Sequence, residues 1–231
     1  MTIMAGTPFH LPYGNGRVVG DRLGRVPQVL CLHGAGQSHR GRFHWLREAL
    51  WQRGIGSLAL DMPGHGDSAG VLKQSSLRER TGQALRVLAT QPWAAPLTVV
   101  GASMSGYTAL RLSTAVPVAN LVLMVPAAYH RDAYSMRFDQ GFTGLIRQPG
   151  SWQYSDAWER LQAFRGNLLL LSGQEDEVIP TEVLQRYEQH ARQAASVTHL
   201  RFACGHQLNG YLAQMPAAAQ QVIEQIAGWY S

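Results

Sequence analysis

Short, mostly apolar runs recur along the chain at Val29–Leu32, Gly56–Leu60, Leu97–Val100, Leu121–Val125 and Leu168–Leu171. None alternates between apolar and polar residues, so the pattern is that of strands covered on both faces. Longer stretches between the first four predict helices over Phe43–Arg53, Ser76–Thr90 and Tyr107–Val116. A further strand is predicted at Val197–Phe202, and a last helix over Pro216–Tyr230 carries Val222, Ile226 and Trp229 as a packing stripe. Strand and helix in alternation imply an α/β fold with a doubly wound, mostly parallel central sheet. Ahead of it, Gly14, Gly16, Gly20 and Gly24 suggest a hairpin of short strands. The alternation breaks between Pro126 and about Arg165, where aromatic residues and arginines mix. The chain reads as one domain over 1–231, with an insertion at approximately 127–165 and no internal repeat.

Four loops at the ends of predicted strands carry candidate chemistry. The run Leu97–Val100 continues into Gly101-Ala102-Ser103-Met104-Ser105-Gly106 and then a helix. A serine at a sharp strand-to-helix turn has its hydroxyl pushed out at the sheet's carboxyl edge, and small residues must flank it. After Val29–Leu32 comes His33-Gly34-Ala35-Gly36, where small residues let backbone N–H groups approach a ligand oxygen. Leu168–Leu171 leads into Ser172-Gly173-Gln174-Glu175-Asp176, and Val197–Phe202 into Ala203-Cys204-Gly205-His206. A serine hydroxyl becomes a useful nucleophile only when an imidazole removes its proton, and that imidazole needs an acceptor on its other nitrogen. Asp132, after the strand at Leu121–Val125, competes with Asp176 for that part, and Asp176 is favoured by its turn and the following Pro180.

Ser, Asp and His in this order, on alternating strands and helices and with Asp61-Met62-Pro63-Gly64-His65-Gly66-Asp67-Ser68 ahead of them, resemble the α/β-hydrolase fold over essentially the whole chain. The resemblance implies Ser103 as nucleophile, His206 as base, Asp176 as orienting acid, and the N–H groups of Ala35 and Met104 as an oxyanion hole. It further implies that the insertion is a short helical cap. Gly34, Tyr129, Phe138, Phe142 and Trp152 are then candidate substrate contacts, although most of the insertion's rings are expected to glue the cap to the domain. The chain departs from the family's usual pattern at Ser105, where a glycine is commoner. His33 and His65 are expected to shape loops, and Asp61 to tie down its turn through backbone N–H groups.

Composition trims this picture. The 231 residues, 45% of them apolar, suffice for one substantial core. A formal charge of +5 invites a nucleic-acid reading, but the basic residues are scattered, and Arg40, Arg42, Arg47 and Arg53 are expected on the solvated face of a helix. Neither a metal nor a nucleotide cofactor is implied, because the nine histidines are dispersed and no phosphate-loop motif occurs. Met1–Pro8 does not read as a secretory signal, and no apolar run is long enough for a membrane span. Cys31 and Cys204 are expected as reduced thiols in a cytoplasmic protein, with Cys204 a weak rival nucleophile. The expected function is a cofactor-independent serine hydrolase that cleaves a small ester, thioester or related acyl compound through an acyl-Ser103 intermediate. The same constellation also serves acyl transfer, cyclisation or carbon–carbon cleavage, or a ligand-sensing binding protein; substrate and oligomeric state are not readable.

Overall fold

A computed structural model describes residues 6–14 and 16–231. Residues 1–5, which carry most of the segment read as lacking a secretory signal, lie outside it. Among the described residues eight strands form one sheet: β1 (Thr7–Tyr13), β2 (Gly16–Leu23), β3 (Val29–Leu32), β4 (Ser57–Leu60), β5 (Thr98–Ala102), β6 (Asn120–Met124), β7 (Asn167–Gly173) and β8 (Ser196–Phe202). Their spatial order is β1-β2-β4-β3-β5-β6-β7-β8. β1, β2 and β4 pair antiparallel and every later pairing is parallel. The expected glycine-rich hairpin is therefore β1–β2, added to the edge of the parallel sheet.

The unbroken apolar runs follow from burial on both faces. Leu30, Leu32, Leu121, Leu123, Leu168 and Leu170 pack into one core with the helices α2 (Leu77–Thr90), α3 (Met104–Ser113) and α6 (Thr181–His190). Val29, Cys31, Val122, Leu169 and Leu171 point the other way, onto α1 (His44–Trp51), α7 (Leu208–Gln214) and α8 (Pro216–Ala227). Alternate residues of one strand thus feed two cores, so no position is left for a polar side. β8, at the sheet's edge, stays largely half-exposed. Among the described residues no helix is long and apolar enough to cross a membrane.

Local chemistry sets the boundaries. Ser76 caps α2 by accepting from the Glu79 N–H at 3.1 Å, and Pro216 opens α8, where its missing N–H costs nothing. The expected helix at Tyr107 in fact begins at Met104, three residues earlier. The weak helix formers Ser105 and Gly106 hide that first turn in the sequence. Between β6 and β7 the chain makes only short turns, with two brief helices, α4 (Thr143–Ile146) and α5 (Ala157–Ala163). Gly141, at φ 83°, breaks the turn at Phe138–Phe142 before a longer helix can form.

The arginine group read as a solvated helix face is a correction. Arg47 is 1% exposed and donates to Asp21 at 2.6 Å and Ser57 at 3.1 Å. Arg40 is held by the carboxylates of Asp21, Asp61 and Asp67. Only Arg42 and Arg53 of the four are exposed. Periodicity could not show this, because the counter-charges sit on β2 and on the loop after β4.

Candidate active site

Ser103 is the one residue between β5 and α3, with φ 49° and ψ −115°. A non-glycine residue at positive φ is strained and persists only where its surroundings hold it. Here the Ser103 N–H donates to Met124 O at 2.8 Å and its carbonyl accepts from Gly106 N at 2.9 Å. Val125, at the end of β6, is also at positive φ (42°), a rare state for a β-branched residue, and turns Pro126 towards the elbow. The packing explains the glycines. A Cβ on Gly101 would lie 2.2 Å from Ser105 O, and one on Gly106 2.6 Å from the Pro126 Cβ. Close approach is needed at 101 and 106 but not at 105, where the Ser105 hydroxyl is buried and donates to His33 O at 2.6 Å.

The loops after β5, β7 and β8 bring three predicted residues together. Ser103 Oγ is 3.0 Å from His206 Nε2, and His206 Nδ1 is 2.9 Å and 3.2 Å from the two carboxylate oxygens of Asp176. Asp176 is held in turn by the N–H groups of Val178 at 2.8 Å and Ile179 at 3.1 Å, and its side chain is 2% exposed. Asp132 does not reach this group: its side chain is 75% exposed and its near neighbour is His130. Burial, reinforced by Glu175 and Asp176, pushes the Cys204 thiol upward. Cys31 is fully buried and raised to about 12 by desolvation. Neither sulfur is disposed to be a thiolate.

The loop at 33–36 lies over the elbow. A Cβ on Gly34 would be 3.2 Å from the Ser103 Cβ and 3.3 Å from Ala102 O, so a side chain there would crowd the elbow. His33 accepts from Met62 N at Nε2, 2.9 Å away, which leaves the proton on Nδ1 to donate to Gly34 O at 2.7 Å. Burial holds its pKa well below the usual histidine value, so it stays neutral. Asp61 accepts from Arg40 N at 2.7 Å and Asp67 N at 3.0 Å, tying its turn as expected. Met104 opens α3, whose first-turn N–H groups lack intrahelical acceptors. Ala35 is exposed beside Ser103.

Two pockets share Ser103 as a wall. One, of about 350 Å³, is lined by polar groups including Gln37, Ser38, Arg42, Gln207 and Asn209. The other, of about 360 Å³, has Ala127, Tyr129, Ile146, Trp152, Ile179 and Val183 in its lining. Of the aromatic candidates, Tyr129 and Trp152 thus face Ser103. Phe138 and Phe142 line a separate hollow beside Ala35 and Met104, and Phe142 is 97% buried against Tyr129 and Phe138. Sequence reasoning missed the wall from Ile179 to Val183 and the polar side at Gln207 and Asn209; the available signal was that both directly follow the acid and histidine loops. It also missed a second chain of hydrogen bonds, Ser172 Oγ to His199 Nε2 at 2.7 Å and His199 Nδ1 to Glu188 at 2.7 Å. Ser172 is 2% exposed and lines neither pocket. Among the described residues no group of three or more His, Cys, Asp or Glu side chains is placed to hold a metal ion.

Comparison with known proteins gives concordant results. The model of a family described as serine aminopeptidase, S33, matches residues 26–148. An esterase of Mycobacterium tuberculosis is 36% identical over 131 residues, 53% of this chain and 41% of that protein, so the alignment spans less than half of the relative's length. Among solved structures, a thioesterase domain from the curacin biosynthetic pathway superposes with a TM-score of 0.72 at 20% identity, covering 95% of this chain and 99% of that one. The esterase Est1E of Butyrivibrio proteoclasticus, solved with ferulic acid bound, gives 0.71 at 16% identity over 95% and 99%. These structural likenesses establish the fold.

Proposed function

The chain belongs to the S33 serine aminopeptidase family of the α/β-hydrolase fold, and from that premise we propose that it is a serine hydrolase cleaving a small ester or thioester through an acyl-Ser103 intermediate. The observation that carries this reading is the continuous path from Ser103 Oγ through His206 to Asp176, at 3.0 Å and 2.9 Å, starting from the serine that two pockets share as a wall. In the proposed cycle, Ser103 Oγ attacks the acyl carbon as its proton passes to His206 Nε2. Asp176 holds His206 in the tautomer that can accept it. The carbonyl oxygen becomes an oxyanion that takes hydrogen bonds from Ala35 N–H and Met104 N–H. Collapse expels the alcohol or thiol with the proton from His206, and water repeats the sequence on the acyl-enzyme. Each oxyanion donor of this type contributes about 2.7–4 kcal/mol to the barrier reduction.

The pockets choose among substrates of the family. An aminopeptidase must hold a cationic amino terminus, yet among the described residues lining the two pockets there is no carboxylate, and Arg42 and Arg147 stand on their walls. An uncharged acyl group suits the more apolar pocket, where the segment from 127 to 165 acts as a cap. A polar leaving group suits the other. The test is steady-state turnover of p-nitrophenyl esters of increasing chain length beside aminoacyl p-nitroanilides. Repeated turnover of the esters, absent in Ser103→Ala, and at least about tenfold poorer kcat/KM on the anilides is expected. Preference for the anilides would reverse the substrate assignment, and a single slow turnover of every ester would point instead to a ligand sensor.

A further inference from the structure

Arg80 is an expensive residue in an unusual place. It lies on α2, is fully buried, and among the described residues pairs with no carboxylate. Its Nη2 donates to His33 O at 2.7 Å, to Ser105 Oγ at 2.9 Å and to Gly34 O at 3.3 Å. Nε and Nη1 are buried with no partner. Desolvation lowers its pKa only to about 10, so it remains a cation at neutral pH. A buried charge without a counter-ion is destabilising, and a core selected for stability alone would replace it with an apolar side chain.

What Arg80 touches explains why it is there. The carbonyls it holds belong to the loop that overlies Ser103. Gly34 O also accepts from His33 Nδ1, so this carbonyl faces two donors, one of them charged. The same peptide group ends in the Ala35 N–H. A donor on the carbonyl end of a peptide withdraws electron density and makes its N–H a stronger donor. Ser105 belongs to the same arrangement: its hydroxyl accepts from Arg80 and passes a proton bond on to His33 O, which a glycine at 105 could not do. We propose that Arg80 is a positioning residue for the oxyanion site, polarising the Gly34–Ala35 peptide and supplying the positive charge whose counter-ion is the tetrahedral intermediate itself. This inference rests on the hydrolase reading of Ser103.

The test compares an inhibitor that creates the oxyanion with one that does not. A trifluoromethyl ketone adds Ser103 Oγ to its carbonyl carbon; the serine proton passes to His206 and the carbonyl oxygen becomes the oxyanion. The matching secondary amide binds without adding. Arg80→Gln, which keeps a donor and loses the charge, should weaken the ketone by about 30-fold or more and the amide by less than about 3-fold, with kcat falling and KM nearly unchanged. Arg80→Lys should recover most of the ketone affinity. A merely structural Arg80 would weaken both inhibitors alike, and equal losses, or none, overturn the proposal. Should Arg80→Gln fail to fold, Arg80→Lys decides alone: it keeps the charge, but its shorter side chain stops short of the position from which Nη2 reaches both carbonyls, so the ketone should weaken by about 3- to 10-fold with the amide unaffected, and any other pattern refutes the role. If the wild-type protein forms no ketone adduct, the hydrolase reading itself falls.

Discussion

Asp176 shows how much of the candidate site depends on single hydrogen bonds. Its carboxylate accepts two backbone N–H groups and faces His206 Nδ1 at 2.9 Å, so it is fixed before any substrate arrives. Replacing it by asparagine leaves the shape and reverses the preferred tautomer of the histidine. Asp176→Asn should therefore lower kcat on a small ester by about 10³- to 10⁴-fold. Asp132→Asn, at an exposed side chain remote from His206, should stay within about tenfold of wild type. Comparable losses in both variants would show that the acid is not the one the geometry selects. The residues meeting at Ser103 are legible in the sequence because each directly follows an apolar run, and position after a strand is a local property. Arg80 and Ser105 are not legible. An arginine in an amphipathic helix reads as solvated until the fold shows which face it is on.

At the level of elements, β5, β6 and β7 were readable because parallel strands buried on both sides leave a continuous apolar signature. The segment between β6 and β7 was not readable in detail. Gly141 and Gly150, both at positive φ, cut it into turns too short to display a helical period. Its aromatics also divide by function in a way that only packing shows. Trp152 is half-buried on the pocket beside Ser103, whereas Phe142 is almost wholly buried among other rings. Trp152→Ala should shift the preferred acyl chain towards longer esters, measured as kcat/KM across a p-nitrophenyl ester series, because one methylene in an apolar pocket is worth about 1–3 kcal/mol. Phe142→Ala should instead act on stability, costing about 3–5 kcal/mol in chemical denaturation. An unchanged chain-length profile for Trp152→Ala would remove it from the substrate wall.

The whole molecule carries its histidines unevenly, and this sets its response to acid. Burial lowers the pKa of His33, His65 and His199 below the ordinary histidine value of 6.5. The unfolded chain therefore binds protons that the folded chain refuses, and stability contributed by these groups is present above pH 6.5 and lost as pH falls below it. Urea midpoints should accordingly drop between about pH 7.5 and 5.5, and His33→Gln should flatten that dependence. A midpoint that rises on acidification would contradict the burial of neutral imidazoles. At this scale the sheet's doubly wound plan was legible, but its charge balance was not, since the partners of Arg40 and Arg47 lie on β2 and the loop after β4. Ser103 is the proposed nucleophile, and the protein offers its own internal control, a second Ser–His–carboxylate chain at Ser172 that lines neither pocket. The most direct measurement is peptide mapping by mass spectrometry after reaction with a fluorophosphonate probe. Stoichiometric modification of Ser103, lost in Ser103→Ala and with Ser172 untouched, is predicted; modification that persists in Ser103→Ala, or that falls on Ser172 or Ser105, would contradict it.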